Sequence, residues 1–192
     1  MPLFLGGHSM GCLVLNTYLG ENPEIAKRLA GVIFMAPFFG APDFVVMDAG
    51  KKAMVGILST VLEEFVLNSG FPIHKCCRSK QFMRDQITRR KDNPLLSLGL
   101  YASFMRNWDK VAGLAKRTIY PYALIMGEKD VLVGNKASRA WHSKTASKIK
   151  TMRLMAGSYH ELSKEPNNNV LFETSLQFMG ERLVGKAPGT PA

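Results

Sequence analysis

Gly7-His8-Ser9-Met10-Gly11 lies between a short apolar run, Pro2–Gly6, and a stripe at helical spacing, Met10, Leu13, Val14, Thr17 and Tyr18. A strand, a five-residue G-x-S-x-G turn and a helix are thus packed into the first two dozen residues, closed by Asn22-Pro23. Few folds accept so sharp a turn. Residues two before and two after the serine approach neighbouring backbone, which predicts a need for glycine at both Gly7 and Gly11. The strain lifts the Ser9 hydroxyl out of the turn at the carboxyl end of a sheet. The helix N-terminus beneath it offers free N–H groups and a positive dipole end, suited to a developing oxyanion. The backbone N–H of Met10 is the expected donor.

The rest of the chain divides by pattern. Gly31–Ala36 is an apolar, β-rich run stopped by Pro37, as in a strand buried on both faces of a parallel sheet. Residues 38–118 show no strand–helix alternation and lean helical, with stretches over Met54–Leu67, Lys80–Arg90 and Pro94–Asn107. Alternation returns over 119–184: a strand Tyr122–Met126, a helix Asn135–Ala146, a strand Lys150–Met155 and a helix Asn168–Leu183. This predicts an α/β fold with a mostly parallel sheet of about four strands and an inserted helical unit. The expected division is 1–37, the turn-bearing part of the core; 38–118, the insert; 119–184, the second part of the core; and a Pro/Gly-rich flexible tail, 185–192.

A serine hydroxyl is a poor nucleophile without a base. Four histidines are available. His8 adjoins Ser9, and its side chain is expected to point away in such a turn. His74 lies in the insert and His142 within a helix, both read as structural or surface. His160 follows the last strand in Gly157-Ser158-Tyr159-His160-Glu161, which puts it at the same sheet end as Ser9. A base needs an orienting carboxylate. Gly127-Glu128-Lys129-Asp130 follows the preceding strand, and Asp130 is the better placed of its two acids. The chain order Ser9, Asp130, His160 is that of α/β-hydrolases and differs from the orders of two unrelated serine proteases.

On Gly-His-Ser-Met-Gly at 7–11, Val-Ile-Phe-Met-Ala-Pro at 32–37, Asp-Asn-Pro-Leu at 92–95, Gly-Glu-Lys-Asp at 127–130, and Ser-Tyr-His-Glu-Leu at 158–162 with Glu165, the chain resembles the α/β-hydrolase superfamily. The likeness is to its monoacylglycerol lipase and lysophospholipase-like branch, the serine aminopeptidase S33-type hydrolases. It implies nucleophile Ser9, acid Asp130 and base His160, with the insert as a lid, in an enzyme cleaving carboxylic esters of lipids through an acyl-enzyme. Cys12 stands where that family usually has glycine. The resemblance begins at the turn's own strand, without the family's preceding strands and the loop giving a second oxyanion N–H, a loss that typically costs about 10²–10³ in turnover. Pro2–Gly6 is then expected as an open apolar edge, completed by a second chain or by an N-terminal segment. Two alternatives stay open: a non-catalytic binding protein derived from a truncated hydrolase, and a peptidase, thioesterase or acyltransferase using the same triad.

Composition excludes other classes. No apolar run approaches the roughly 18–20 residues of a membrane span. Cys12, Cys76 and Cys77 do not make a disulfide framework, and the first residues do not read as a signal peptide, so an intracellular location, cytoplasmic or peripheral to membranes, is expected. The formal net charge of +10 comes from 25 Lys and Arg against 15 Asp and Glu, spread out except at Arg89-Arg90-Lys91. No nucleic-acid motif accompanies it. Thirteen basic and seven acidic residues fall in the insert, where a lid would meet an anionic lipid surface. No cofactor loop or metal-ligand spacing is present, so neither cofactor nor metal is expected.

Overall fold

The computed structural model describes residues 1–43, 45, 48–68, 72–88 and 95–184. Arg89-Arg90-Lys91, Asp92-Asn93-Pro94 and the tail 185–192 lie outside them. The chain runs β1 (Phe4–His8), α1 (Met10–Glu21), α2 (Pro23–Ala26), β2 (Gly31–Met35), α3 (Ala49–Val61), β3 (Val66–Asn68), α4 (Lys80–Thr88), β4 (Leu95–Ser97), α5 (Leu98–Leu114), β5 (Tyr122–Gly127), α6 (Asn135–Lys144), β6 (Lys150–Met155) and α7 (Asn169–Leu183). Four strands form one parallel sheet in the order β1-β2-β5-β6. Every residue of β5 is buried, which is why its sequence is an unbroken apolar run rather than an alternation.

Successive residues of the central strands serve opposite faces. Phe34 and Tyr122 pack edge-on at 6.0 Å, and Trp141 of α6 closes on both, at 5.5 and 4.9 Å between ring centres. Ile33, Ala123 and Ile125 join Leu171 and Phe178 of α7 on the other face. Gly31 leaves room for that helix: a Cβ there would lie 2.6 Å from the Phe178 ring. Among the described residues β1 pairs only with β2 and β6 only with β5, so both sheet edges are open. The β6 edge carries Lys150 and Arg153, charges that discourage edge pairing, whereas Phe4–His8 carries no Lys, Arg, Asp or Glu.

Between β2 and β5 the chain leaves the sheet. Asp48 caps α3 by accepting the Lys51 N–H at 2.8 Å, and Ser97 caps α5 by accepting the Leu100 N–H at 3.2 Å. Helix α5 buries Phe104, Met105, Trp108 and Val111, with Phe38 against Trp108 at 5.0 Å. Two expectations are corrected here. The helix expected over Met54–Leu67 ends at Val61, and the one expected over Pro94–Asn107 begins only at Leu98 and runs to Leu114. The flanking residues form an antiparallel pair instead, β3 with β4, because each terminal segment gains partners from the other that neither finds in a helix.

Candidate active site

Ser9 follows the last residue of β1 and precedes the first of α1. Its φ of 54° and ψ of −121° are a strained combination for a non-glycine residue. The strain is held from both sides. The Ser9 N–H donates to Met35 O at 2.9 Å, and Ser9 O accepts from Cys12 N at 3.0 Å and Phe38 N at 3.2 Å. At Gly7 a Cβ would lie 3.0 Å from Cys12 N and from Gly11 C and O, so the turn closes tightly there. At Gly11 a Cβ would meet nothing within 4 Å among the described residues. The expected need for glycine thus holds on one side of the serine, and the reason is that the backbone folds back onto Gly7 alone. Cys12, fully buried beneath the turn, donates its thiol to Gly7 O at 3.0 Å, and burial pushes that thiol up to about 12. Met10 opens α1, where N–H groups of the first turn have no helical partner.

The acid and base candidates sit on the turns after β5 and β6. Asp130 Oδ2 and His160 Nδ1 are 2.8 Å apart, with both side chains almost wholly buried. The other Asp130 oxygen accepts the Leu132 N–H at 2.8 Å, which fixes the carboxylate. The two turns are interlocked: Lys129 N–H donates to Ser158 O at 2.8 Å, and a Cβ at Gly127 would lie 2.0 Å from Tyr159 O. With Nδ1 engaged by Asp130, Nε2 of His160 is the nitrogen left to exchange a proton. His160 reaches the Ser9 side: its ring centre is 4.9 Å from that of His8, and its carbonyl is 3.2 Å from His8 Nε2. The structure gives no hydrogen bond between the Ser9 hydroxyl and His160; such contacts are commonly long before substrate binds.

The family model for serine aminopeptidase S33 matches residues 1–167. The chain belongs to the serine aminopeptidase S33 family. The putative monoglyceride lipase of Schizosaccharomyces pombe is 29% identical over 177 residues, covering 88% of this S33 chain and 45% of that protein. A Bacillus subtilis phospholipase is 25% identical over 190 residues, 95% of this chain and 70% of the relative. The crystal structure of Paleococcus ferrophilus monoacylglycerol lipase superposes with a TM-score of 0.80 at 21% identity, over 94% of this chain and 69% of that one. The chain therefore spans about half the length of the fission-yeast relative. The α/β-hydrolase fold expected from the sequence is the fold observed.

Several S33-chain residues matter in ways the sequence did not suggest. His8, expected to point away, contacts His160. The cause is the reach of the loop after β6 over the sheet end, which brings the His160 backbone to the His8 ring. Glu128 has a task of its own, accepting the Gly157 N–H at 2.7 Å at the start of the His160 loop. His8, His160 and Glu161 each bring a potential metal-ligating atom within 4.8 Å of the others, a grouping that sequence spacing did not foresee. His142 is structural as expected, bonded through Nδ1 to the Tyr122 hydroxyl at 2.9 Å, and His74 is exposed. Cys76 and Cys77 are buried free thiols, and the loop carrying His160 meets the first of them where the Glu161 N–H donates to Cys76 O at 2.8 Å.

Proposed function

We propose that this chain carries the catalytic centre of a serine hydrolase acting on carboxylic esters of lipids, monoacylglycerols or lysophospholipids. The Asp130–His160 pair at 2.8 Å, beside a strained serine turn, is the observation that carries the reading. Ser9 attacks the acyl carbonyl, and His160 Nε2 takes the hydroxyl proton. The Met10 N–H stabilises the oxyanion of the tetrahedral intermediate. As the intermediate collapses, the carbonyl re-forms and the protonated His160 gives its proton to the departing alcohol oxygen. Asp130 orients the imidazole and stabilises its charged form. Water, deprotonated by His160, then hydrolyses the acyl-enzyme and restores Ser9.

The lipid assignment draws on the names of the relatives and on the 38–118 segment, read as a lid. Helix α3 exposes Met54, Ile57, Leu58 and Val61, spaced to share one helical face. In a segment with thirteen basic residues against seven acidic ones, such a stripe favours peripheral contact with an anionic membrane. No helix among the described residues is long and apolar enough to cross one. A fluorophosphonate probe tests the reading. Labelling of the folded chain that disappears in Ser9→Ala is the expected result. An unlabelled wild type, or equal labelling of the variant, overturns it.

A further inference from the structure

The sheet order sets a mechanical problem. His160 belongs to the loop after β6, at one sheet edge, yet it contacts His8 at the end of β1, the opposite edge. Three strand spacings separate those edges, about 14 Å at roughly 4.8 Å each. A loop thrown that far across the end of a sheet needs an anchor besides its own strand. The described residues show one. Glu165, with its side chain fully buried, accepts the Tyr159 N–H through Oε1 at 3.2 Å. The same oxygen accepts the backbone N–H of Arg78 at 3.0 Å, and Oε2 accepts Arg78 Nε at 2.5 Å. Arg78 Nη2 donates onward to Asn167 Oδ1 at 2.6 Å, and that oxygen also accepts from Ser158 Oγ at 2.9 Å. Asn167 Nδ2 reaches back to Ala156 O at 3.2 Å. Beside these, the Glu161 N–H donates to Cys76 O at 2.8 Å. Gly157, at φ +67°, leaves the space over which the guanidinium lies: a Cβ there would be 3.2 Å from Arg78 Nη1.

We propose that Glu165 and Arg78 form a clamp that positions His160 and ties it to the 38–118 segment. The residues on both sides of His160, Tyr159 and Glu161, are bonded within this assembly, and Arg78 bridges the beginning and the end of the loop through Asn167 and Glu165. A buried carboxylate is costly unless it is paired and hydrogen-bonded, and Glu165 is both. The consequence is coupling: displacement of the 76–78 segment displaces His160 with it. The positioning role rests on the serine hydrolase reading; the clamp itself does not.

Two readouts separate them. Amide hydrogen exchange follows the loop directly. In Glu165→Gln, exchange in the 157–161 backbone rises about tenfold to a hundredfold, the scale of a lost charge-assisted hydrogen bond, while β5 stays protected. Fluorophosphonate labelling follows the chemistry. The maximal labelling rate falls by a similar factor with the half-saturating probe concentration unchanged, since a displaced base slows attack without altering probe contacts. Arg78→Lys keeps the charge and the backbone bond, so it retains labelling within a few-fold of wild type; Arg78→Ala, which removes the guanidinium contacts to Glu165 and Asn167, carries the test should Glu165→Gln not fold. Unchanged exchange in Glu165→Gln, or in Arg78→Ala where that is the folded variant, overturns the clamp. Faster exchange with unchanged labelling overturns the positioning role. An unlabelled wild type overturns the hydrolase reading and the positioning role with it, and exchange then still decides the clamp.

Discussion

Ser9 hangs from β1, a strand with one neighbour among the described residues, and is held by backbone strain. Asp130 and His160 hang from β5 and β6 and are held by a dense set of side-chain hydrogen bonds, with Arg78, Glu128, Glu165 and Asn167 as anchors. Strain is a local device, because a tight turn, one glycine and three backbone hydrogen bonds suffice to aim a hydroxyl. Aiming an imidazole across the sheet end from the far edge is not local. It recruits residues about 87 positions away in sequence, Arg78 against Glu165. The two halves should therefore fail differently when perturbed.

The largest difference is expected at their glycines. Gly127→Ala drives a Cβ to 2.0 Å from Tyr159 O and 2.7 Å from Ser158 O, both backbone atoms that cannot rotate away. The interlocked turns must part, at a cost of about 3 kcal/mol or more in denaturant unfolding. Gly7→Ala meets backbone at 3.0 Å and needs only a small shift, so about 1–3 kcal/mol is expected. Equal losses would mean that the elbow is packed as rigidly as the Asp130–His160 half, and the comparison would fall.

The same contrast explains how much could be read from the sequence. The serine turn was legible because its determinants are contiguous: Gly7, Ser9, an apolar run before and a helical stripe after. Strands β2 and β5 were legible because each is a compact apolar run, and β6 because it falls in the strand–helix alternation that they open. Asp130 and His160 could be picked by residue type and by position after a strand. Their anchors could not. Nothing near Arg78 announces that its partner is Glu165, and the turn of His8 toward His160 depends on where a loop from the far edge lands. The β3–β4 pair was hidden because three residues per strand are too few to display a period of two.

A pH titration probes the same side of the sheet from below. His142 is half-buried beside Lys150, and burial first, the lysine charge second, holds its imidazole below the usual value of 6.5. The folded chain thus binds that proton less readily than the unfolded chain. Its contribution to stability is present above pH 6.5 and is lost as pH falls from there through the lowered folded value. A modest decline in Tm across that window, reduced in His142→Gln, is expected from thermal unfolding. A Tm that rises on acidification in wild type and not in the variant would reverse the assignment.

The smallest expected effect has the opposite sign and tests the elbow half alone. Gly11 lies in the first turn of α1, and a Cβ there would meet nothing within 4 Å among the described residues. Alanine restricts the unfolded chain and favours the helix, so Gly11→Ala should stabilise by about half a kcal/mol. The neighbouring surface sharpens the point. Met10, Val14 and Tyr18 form an exposed stripe along α1, the helix that follows β1. Were Gly11→Ala to lower the unfolding free energy instead, something would have to approach that helix closely in solution. The elbow half would then be held by packing as well as by strain, and its difference from the Asp130–His160 half would narrow to the clamp at Glu165.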